Sequence, residues 1–526
     1  MSLGELLGAL SLATDLAAGL PLETSLRTCV VATRLARILG IADGEIAEVR
    51  RTTLLRHLGC TAFAHEAAKL GGDDHDLLTT YAGVDRSRRG AVVGRTVTHL
   101  AREAPLGRRL AAMARVMTHP GAGAALVSAQ CTQAMALAED LQLPAGVTAA
   151  LGQIYERHDG RGDPHQLAGD AIRPAAQILH LAELVEVHHR TRGGAHGGTH
   201  GAAPAGPHAP GAQGTGGRDA AVAEVRRRRG KHLAPAVADA FLAEHAGLWP
   251  ILEAASVWDH YLEDETAGDT ALDLARVASA FGRFADLKSP YTLGHSTQVA
   301  AIACAACTDR DQLPRLRVAA LLHDLGTVSV PNGIWNKPGP LNAMEWERVR
   351  LHGYYTQRIL TQTPLLADVA TIAGAHHERL DGSGYHRGAT APMLDAAARL
   401  IAAADAYQAM REARAHRPAL SQAAAADALA ADARDGRLCR RAVDEVLGAA
   451  GLPRAERSLP AGLTPREVEV LIHLARGATN KEIATSLGIA VRTANHHIEN
   501  IYAKLDVTTR AAAAVFAVRH DLVAAD

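Results

Sequence analysis

Aromatic residues make up only 3% of this 526-residue chain. A chain so poor in the flat and β-branched-friendly patterns of sheets, and so rich in alanine, is expected to pack as closely spaced helices. Cysteine is scarce too. Cys29, Cys60, Cys131, Cys304, Cys307 and Cys439 are too few and too scattered for a disulfide framework, which fits a reducing cytoplasm. The "CAAC" at 304–307 lies in an apolar helical run with no second such pair, so it reads as small-residue packing and not as a zinc or redox motif. Neither sign of charge dominates: 55 Lys and Arg face 56 Asp and Glu, for a net charge of -1. That excludes a global attraction to nucleic acid or anionic membrane, and any DNA contact must come from a local patch. No uncharged run is long enough to cross a bilayer. The start, "MSLGELLGALSLATDLAAGLP", carries acids and lacks a basic opening, so a signal peptide and a membrane partner are not expected. What remains, 48% hydrophobic and 21% charged, reads as a globular chain with room for about three domains.

The chain contains an internal repeat. "QIYERHDGRGDPHQ" (153–166) lies over "AHHERLDGSGYHRG" (375–388), "TTLLRHLGCTA" (52–62) over "AALLHDLGTVS" (319–329), and "ETSLRTCVVA" (23–32) over "YTLGHSTQVA" (291–300). Downstream, "AQILHLAEL" (176–184) matches "ARLIAAADA" (398–406), in the same order. In this pairing His295, His323, Asp324, His376 and His377 of the second copy become Arg27, Arg56, His57, Ile154 and Tyr155 in the first. His352 falls near Cys131, with a slip of one residue, and only Asp405 keeps an acid, Glu183. The apolar scaffold and glycines persist while the polar residues change. The first copy is therefore expected to keep the fold and lose the site.

Residues 191–218, Gly-, Ala-, Pro- and His-rich without periodicity, read as a flexible insertion whose histidines lack fixed geometry. They interrupt the first copy, because 220–247 resembles the tail of the second. "RRRR" at 226–229 reads as a charged helix face.

His376 and His377 stand side by side before a Gly-rich turn. Adjacent residues diverge by about 100° on a helix and point to opposite faces of a strand, so packing alone explains the pair poorly. With His295, His323, Asp324, His352 and Asp405 they come from separate helical segments, the way bundles build di-metal centres from inward-facing imidazoles and carboxylates. A ligand set without thiolates favours two divalent ions, iron, manganese or zinc. Two such ions about 3.5–4 Å apart can activate water and steady the oxygens of a phosphoryl displacement.

Through "DLKSPYTLGHS", "LLHDLGTVSVP", "NKPGPLNAMEWE", "HHERLDGSGYHRG" and "AAADAY", the segment from about 273 to 450 resembles the HD-GYP branch of the HD phosphohydrolases. The resemblance implies an α-helical domain that holds two or three metal ions and hydrolyses cyclic di-GMP. It implies His295, His323, Asp324, His352, His376, His377 and Asp405 as ligands, His323 and Asp324 as catalytic, and Arg379, Asp381 and Tyr385 as substrate-facing. Tyr291 stands where some members carry a third-metal Glu, so two metals are expected. Thr327 replaces the lysine of the family's HD-x-G-K pattern, and the GYP triplet is Gly384, Tyr385, His386.

Residues 463–522 read as a helix-turn-helix. Thr464, Pro465 and Glu467 form a capping box, followed by "NKEIATSLGI" and the longer "VRTANHHIENIYAKL". Through "LTPRE", "NKEIA", "RTANHH" and "IYAKL" the segment resembles the LuxR/GerE class, which implies DNA binding as a homodimer. Lys481, Arg492 and Lys504 are expected at phosphates, and Thr493, Asn495, His496 and Asn500 on or beside the reading face.

The expected architecture is all-α: a degenerate HD-type repeat (1–255), a metal-dependent HD-GYP domain (256–452) and a LuxR-type domain (460–526), together a cytoplasmic regulator. Three functions stay open: a phosphodiesterase for cyclic di-GMP or a related nucleotide, a non-hydrolysing sensor of metal and nucleotide, and a hydrolase for another nucleotide.

Overall fold

The computed structural model describes residues 3–85, 87–102, 104–119, 121–193, 216–265, 273–452, 460–520 and 522. Among them the regular elements are all helices, joined by short turns and a few isolated bridges. No described helix is long and apolar enough to cross a membrane. All six cysteines are free. The histidines expected in the 191–218 insertion lie outside the described residues. The chain divides into two compact units, Met1–Ala450 and Gly451–Asp526. The sequence boundary expected at 255/256 falls inside the first unit.

Both repeats lie in that first unit, and a short list of retained interactions aligns them. Each opens with a helix that carries an aspartate in its last turn, Asp15 in Leu3–Ala17 and Asp286 in Leu274–Asp286. Asp15 accepts from the Ser25 amide (3.0 Å) and hydroxyl (2.6 Å), and Asp286 likewise from Ser296 (3.0 and 2.7 Å). The next helix starts in each case after a residue in the left-handed region, Glu23 at φ 68° and Gly294 at φ 80°. Glycine takes that conformation without steric cost. Glu23 is held in it by its carboxylate, which accepts from the Ser256 hydroxyl (2.7 Å) and the Val257 amide (3.0 Å).

These anchors correct the pairing read from the sequence at two places. The counterpart of His295 is Thr24, the first residue of the helix Thr24–Ile38, and not Arg27. Arg27 instead donates to the carbonyls of Ile251, Leu252 and Ala255, tying down the segment that leads out of the first repeat. The counterpart of His352 is Gln130, not Cys131. A Cβ on Gly59 would sit 2.0 Å from the Gln130 carbonyl oxygen, as one on Gly326 would from that of His352. These two glycines allow a backbone approach that no side chain permits.

The Gly-rich loop is built twice on one plan. Glu156 accepts from the amides of His165 and Leu167, and Glu378 from those of Arg387 and Ala389. The loop then reaches a downstream turn, through the His158 amide to the His232 carbonyl and the Leu380 amide to that of Arg437. The tail beyond the insertion thus completes the first repeat. The arginine run is absorbed into packing: Arg227 and Arg228 meet Glu224, and Arg229 meets Asp239.

A buried ion pair joins the repeats. Lys288 Nζ lies 2.8 Å from Asp74 Oδ2, with the side chains 3% and 0% exposed, and Asp74 Oδ1 accepts from the Asn332 amide at 2.8 Å. Burial alone would raise the Asp74 carboxyl, yet Lys288, with His75, holds it below its usual 3.8. This stabilisation is therefore present above pH 3.8 and lost as pH falls through the depressed value. Removing one partner leaves a buried unpaired charge, so Lys288→Met should destabilise the first unit by roughly 3–5 kcal/mol in urea unfolding. The double change Lys288→Met with Asp74→Leu should recover most of that loss. No recovery would mean that the pair acts through something other than charge.

The second unit folds around Val470, Leu471, Leu474, Ile483, Ala494, Ile498, Ile501, Ala513 and Ala517. Its helices are Pro465–Ala475, Asn480–Ser486, Val491–Leu505 and Arg510–Arg519. The capping box of Thr464 and Glu467 is formed, and a second joins Thr479 and Glu482.

Candidate metal centre

The seven singled-out residues of the second repeat gather mostly at helix ends, where backbone geometry fixes their direction. His295 opens the helix His295–Ala306, His323 and Asp324 follow Leu313–Leu322, and His352 opens His352–Leu360. His376 and His377 follow Pro364–Ala373, and Asp405 projects from within Ala396–Arg411. The close approach at Gly326 sets the His323-Asp324 turn against the His352 helix. Thr356 locks it, accepting from the Gly326 amide (2.9 Å) and donating to the His323 carbonyl (2.9 Å).

The structure brings these side chains into two adjoining groups, Asp324 with His352, His376 and His377, and His295 with His323 and Asp405. Asp324 faces both. Its Oδ1 lies 3.2 Å from His376 Nε2 and 3.4 Å from His352 Nε2, while Oδ2 lies 3.6 Å from His295 Nε2 and 3.8 Å from His323 Nε2. Asp405 is shared the same way, with Oδ1 3.2 Å from His295 Nε2 and Oδ2 3.6 Å from His377 Nδ1. All but His377 are buried.

Which nitrogen of each ring carries the proton follows from what the other nitrogen meets. Nδ1 of His323, His352 and His376 faces the carbonyl three residues back, at 2.8, 2.5 and 2.7 Å. A carbonyl can only accept, so each Nδ1 is a donor and each Nε2 presents a lone pair to the centre. His295 Nδ1 meets the Glu412 carboxylate at 3.0 Å, to the same effect. Metal-bound histidines show this support on their outer nitrogen.

Lone pairs thus converge on one another. His352 Nε2 and His376 Nε2 lie 3.0 Å apart. His323 Nε2, Asp324 Oδ1 and Asp405 Oδ2 are buried without a hydrogen-bond partner. Either an added proton or a cation can relieve such a cluster. Burial disfavours the proton on His376 and His377, whose pKa values fall below 6.5, whereas the neighbouring carboxylates outweigh burial and raise His295 and His323. Burial alone would raise Asp324 and Asp405, but the imidazoles around them keep both carboxyls well below 3.8. The donor set fits divalent cations.

Around the centre, Tyr385 stacks on His377 with ring centroids 4.3 Å apart, and the Arg350 guanidinium donates to the Gly384 and Tyr385 carbonyls. Arg379 is half-buried and donates to the carbonyls of His376 and Glu378. Asp381 is exposed and stands apart from both groups, its carboxylate accepting from the Ser383 amide and hydroxyl, so it shapes the loop. Thr327 donates its hydroxyl to the Asp324 carbonyl at 2.6 Å and offers no cation. Sequence reading missed Glu412 and Arg350. Glu412 stands seven residues after Asp405, two helical turns on, which is the one signal that would have marked it.

The sister positions in the first repeat hold a different set. Arg56, in place of His323, lies 3.2 Å from Glu183, in place of Asp405. Tyr155, in place of His377, donates to Gln130, in place of His352, at 2.7 Å. A fixed guanidinium stands where the second repeat presents a bare imidazole. Among the described residues, both potential metal groups lie in the second repeat.

In the second unit, Lys481, Arg492, Thr493, Asn495 and His496 are exposed and Asn500 half-buried, around the turn between Asn480–Ser486 and Val491–Leu505. Asn495 accepts from Asn480 at 2.7 Å. Lys504 is already engaged, 2.7 Å from Glu467 Oε2 and 3.0 Å from the Gly462 carbonyl, which makes it part of the domain's own packing.

Comparison with known families fits both units. The family described as "HD domain" matches residues 124–203 and 280–439, and "Bacterial regulatory proteins, luxR family" matches 461–517. The chain thus carries segments that match an HD domain and a LuxR-family domain. It is 29% identical over 431 residues to 3′3′-cGAMP-specific phosphodiesterase 3 of Vibrio cholerae serotype O1, covering 80% of this chain and 88% of that protein. A crystal structure of a V. cholerae cyclic GMP-AMP specific phosphodiesterase shares the fold, with a TM-score of 0.55 at 23% identity over 88% of this chain and 99% of that one. The LuxR-family part is 51% identical over 69 residues to the transcriptional regulatory protein LiaR of Bacillus subtilis, 13% of this chain and 33% of that one. The HD-domain match reaches into both repeats, in keeping with their common plan.

Loading the purified protein with manganese should give about two ions per chain by elemental analysis. Asp324→Ala, which removes the carboxylate facing both groups, should lose both ions, and His377→Ala should weaken one. Wild-type metal content in Asp324→Ala would rule out a shared centre.

Proposed function

We propose that residues 256–452 form a di-metal phosphodiesterase for a 3′,3′-cyclic dinucleotide and that its state is passed to a DNA-reading domain at 460–526, in a cytoplasmic homodimeric regulator. The observation that carries the reading is Asp324, one oxygen turned to each ligand group beside the unpartnered His323 Nε2. The similarity to a cyclic dinucleotide phosphodiesterase along most of both chains supports the substrate class.

His295, His323 and Asp405 would hold one ion, His352, His376 and His377 the other, with Asp324 between them. Iron, manganese or zinc there supplies Lewis-acid activation of water and neutralises charge on the phosphodiester. The chain's own part is to hold the ligands rigid. Backbone carbonyls and Glu412 fix the ring tautomers, and Tyr385 stacks on His377 at the side where Arg379 and Arg350 bring positive charge.

Breaking the P–O bond leaves an alkoxide that must gain a proton. The position of the family lysine is filled by Thr327, whose hydroxyl is committed to the Asp324 carbonyl. Absence of a general acid typically costs 10²–10⁴-fold in rate. That favours slow turnover, and it also supports a second reading in which the site binds nucleotide without useful hydrolysis and occupancy alone tunes DNA affinity.

The full chain with manganese is tested separately with cyclic GMP-AMP and cyclic di-GMP. Slow release of linear product is expected, abolished in His323→Ala and Asp324→Ala and raised at least about tenfold in Thr327→Lys. No product from either enzyme form, with ligand still retained, would establish the second reading. Turnover of a different nucleotide in a substrate panel would replace the substrate class.

For the second unit, Lys481 and Arg492 are proposed at phosphates, with Thr493, Asn495, His496 and Asn500 at or beside base edges in the major groove. Lys481→Ala or Arg492→Ala should weaken DNA binding at all sequences and lower the slope of log K against log salt by about 1. An unchanged slope would remove that residue from the phosphate set.

A further inference from the structure

The first repeat keeps a cavity where the second gathers its seven ligand residues. Its volume is about 160 Å³. The lining includes Arg56, His57, Tyr155 and Glu183, the sister positions of His323, Asp324, His377 and Asp405, with apolar wall between them and the exposed Arg161 at its edge.

Arg56 is the unusual member. Its side chain is 2% exposed, and none of its Nε, Nη1 and Nη2 atoms has a hydrogen-bond partner. A guanidinium carries five N–H donors and does not give up its charge. Glu183 approaches Nη1 at 3.2 Å without the alignment of a hydrogen bond, and at 38% side-chain exposure it is free to turn toward water. His57 Nε2 is also buried and unpartnered in the same wall. The neighbouring arginines are spoken for: Arg157 meets Asp85 and Asp159, and Arg228 meets Glu224. The unspent donors are concentrated on Arg56.

Buried charged donors without acceptors are costly, and oxyanions with several acceptor oxygens answer them best. Size narrows the class. A cavity near 150 Å³ accommodates a ligand of roughly benzene size, far smaller than a cyclic dinucleotide. We propose that the first repeat is a metal-independent binding site for a phosphate group, free or as a small monoester, held by Arg56 with Arg161 at the mouth. In this repeat the guanidinium supplies the positive charge that the second would take from its ions. The inference does not depend on turnover in the second repeat.

Calorimetric titration of the full chain in EDTA, with inorganic phosphate in one arm and methyl phosphate in the other, tests it. Binding in at least one arm is expected, and the arm that binds more tightly tells free anion from ester. Affinity should fall about 10–100-fold in Arg56→Gln, the size of a lost charged hydrogen bond. It should fall several-fold in Arg161→Ala and stay unchanged in Asp324→Ala. No binding in either arm overturns the proposal, as does equal affinity in Arg56→Gln. Loss in Asp324→Ala overturns it too, because the anion would then sit at the other centre. Should Arg56→Gln fail to fold, Arg161→Ala decides, since an exposed residue can be changed without disturbing the core.

Discussion

Two imidazole nitrogens 3.0 Å apart, each with its proton on the far side, form the constraint around which the second repeat is arranged. Such a pair is repulsive unless a cation enters, and at His376 burial disfavours the simplest one, a proton. Burial opposes charge on His376, while carbonyls and Glu412 keep the outer nitrogens of His323, His352, His376 and His295 occupied. The fold therefore holds this donor set in place through its own backbone and Glu412. Helix ends make that possible, because a residue just past a helix can return its Nδ1 to the last carbonyls and aim Nε2 outward into the cavity.

The first repeat solves the same problem without an ion. Its glycine at 59, its Asp15–Ser25 clasp and its Glu156-closed loop show that the backbone plan around the site is kept, so the differences at the site itself lie in side chains. Arg56 and Glu183 stand where His323 and Asp405 stand. A covalently attached charge needs no ligand set, which is why His352 could become Gln130 and His376 could become Ile154 without loss of the fold. Such a repeat also has no centre for a chelator to empty.

Much of this was legible in the sequence, and the places where it was not have physical reasons. The repeat, the all-helical architecture and the seven converging residues followed from residue types and order, because metal-type side chains at the ends of apolar helical runs have few other uses. The pairing of His295 with Arg27 failed because text alignment rewards matching letters. The real register is set by a left-handed residue before the helix, Glu23 against Gly294, and those two letters share nothing. Gln130 was missed by one residue for a similar reason: what aligns it is a carbonyl pressed on Gly59. Asp381 and Lys504 looked like ligand-facing groups in a linear reading, yet each is engaged by neighbours within its own unit, Ser383 and Glu467. Local hydrogen bonds of that kind leave almost no trace in composition or spacing.

Thr327 connects the chemistry to regulation. An enzyme tuned for clearance needs the leaving oxygen protonated quickly, and a lysine beside the HD turn would serve that end. Under the proposed function, a hydroxyl tied to the Asp324 carbonyl in place of that lysine would leave the step without its acid. When hydrolysis is slow, the nucleotide stays bound for longer, and occupancy of the centre tracks nucleotide concentration instead of being erased by turnover. A chain that couples such a centre to a DNA-reading domain gains from that exchange, because a regulator needs bound states that outlast the search for an operator.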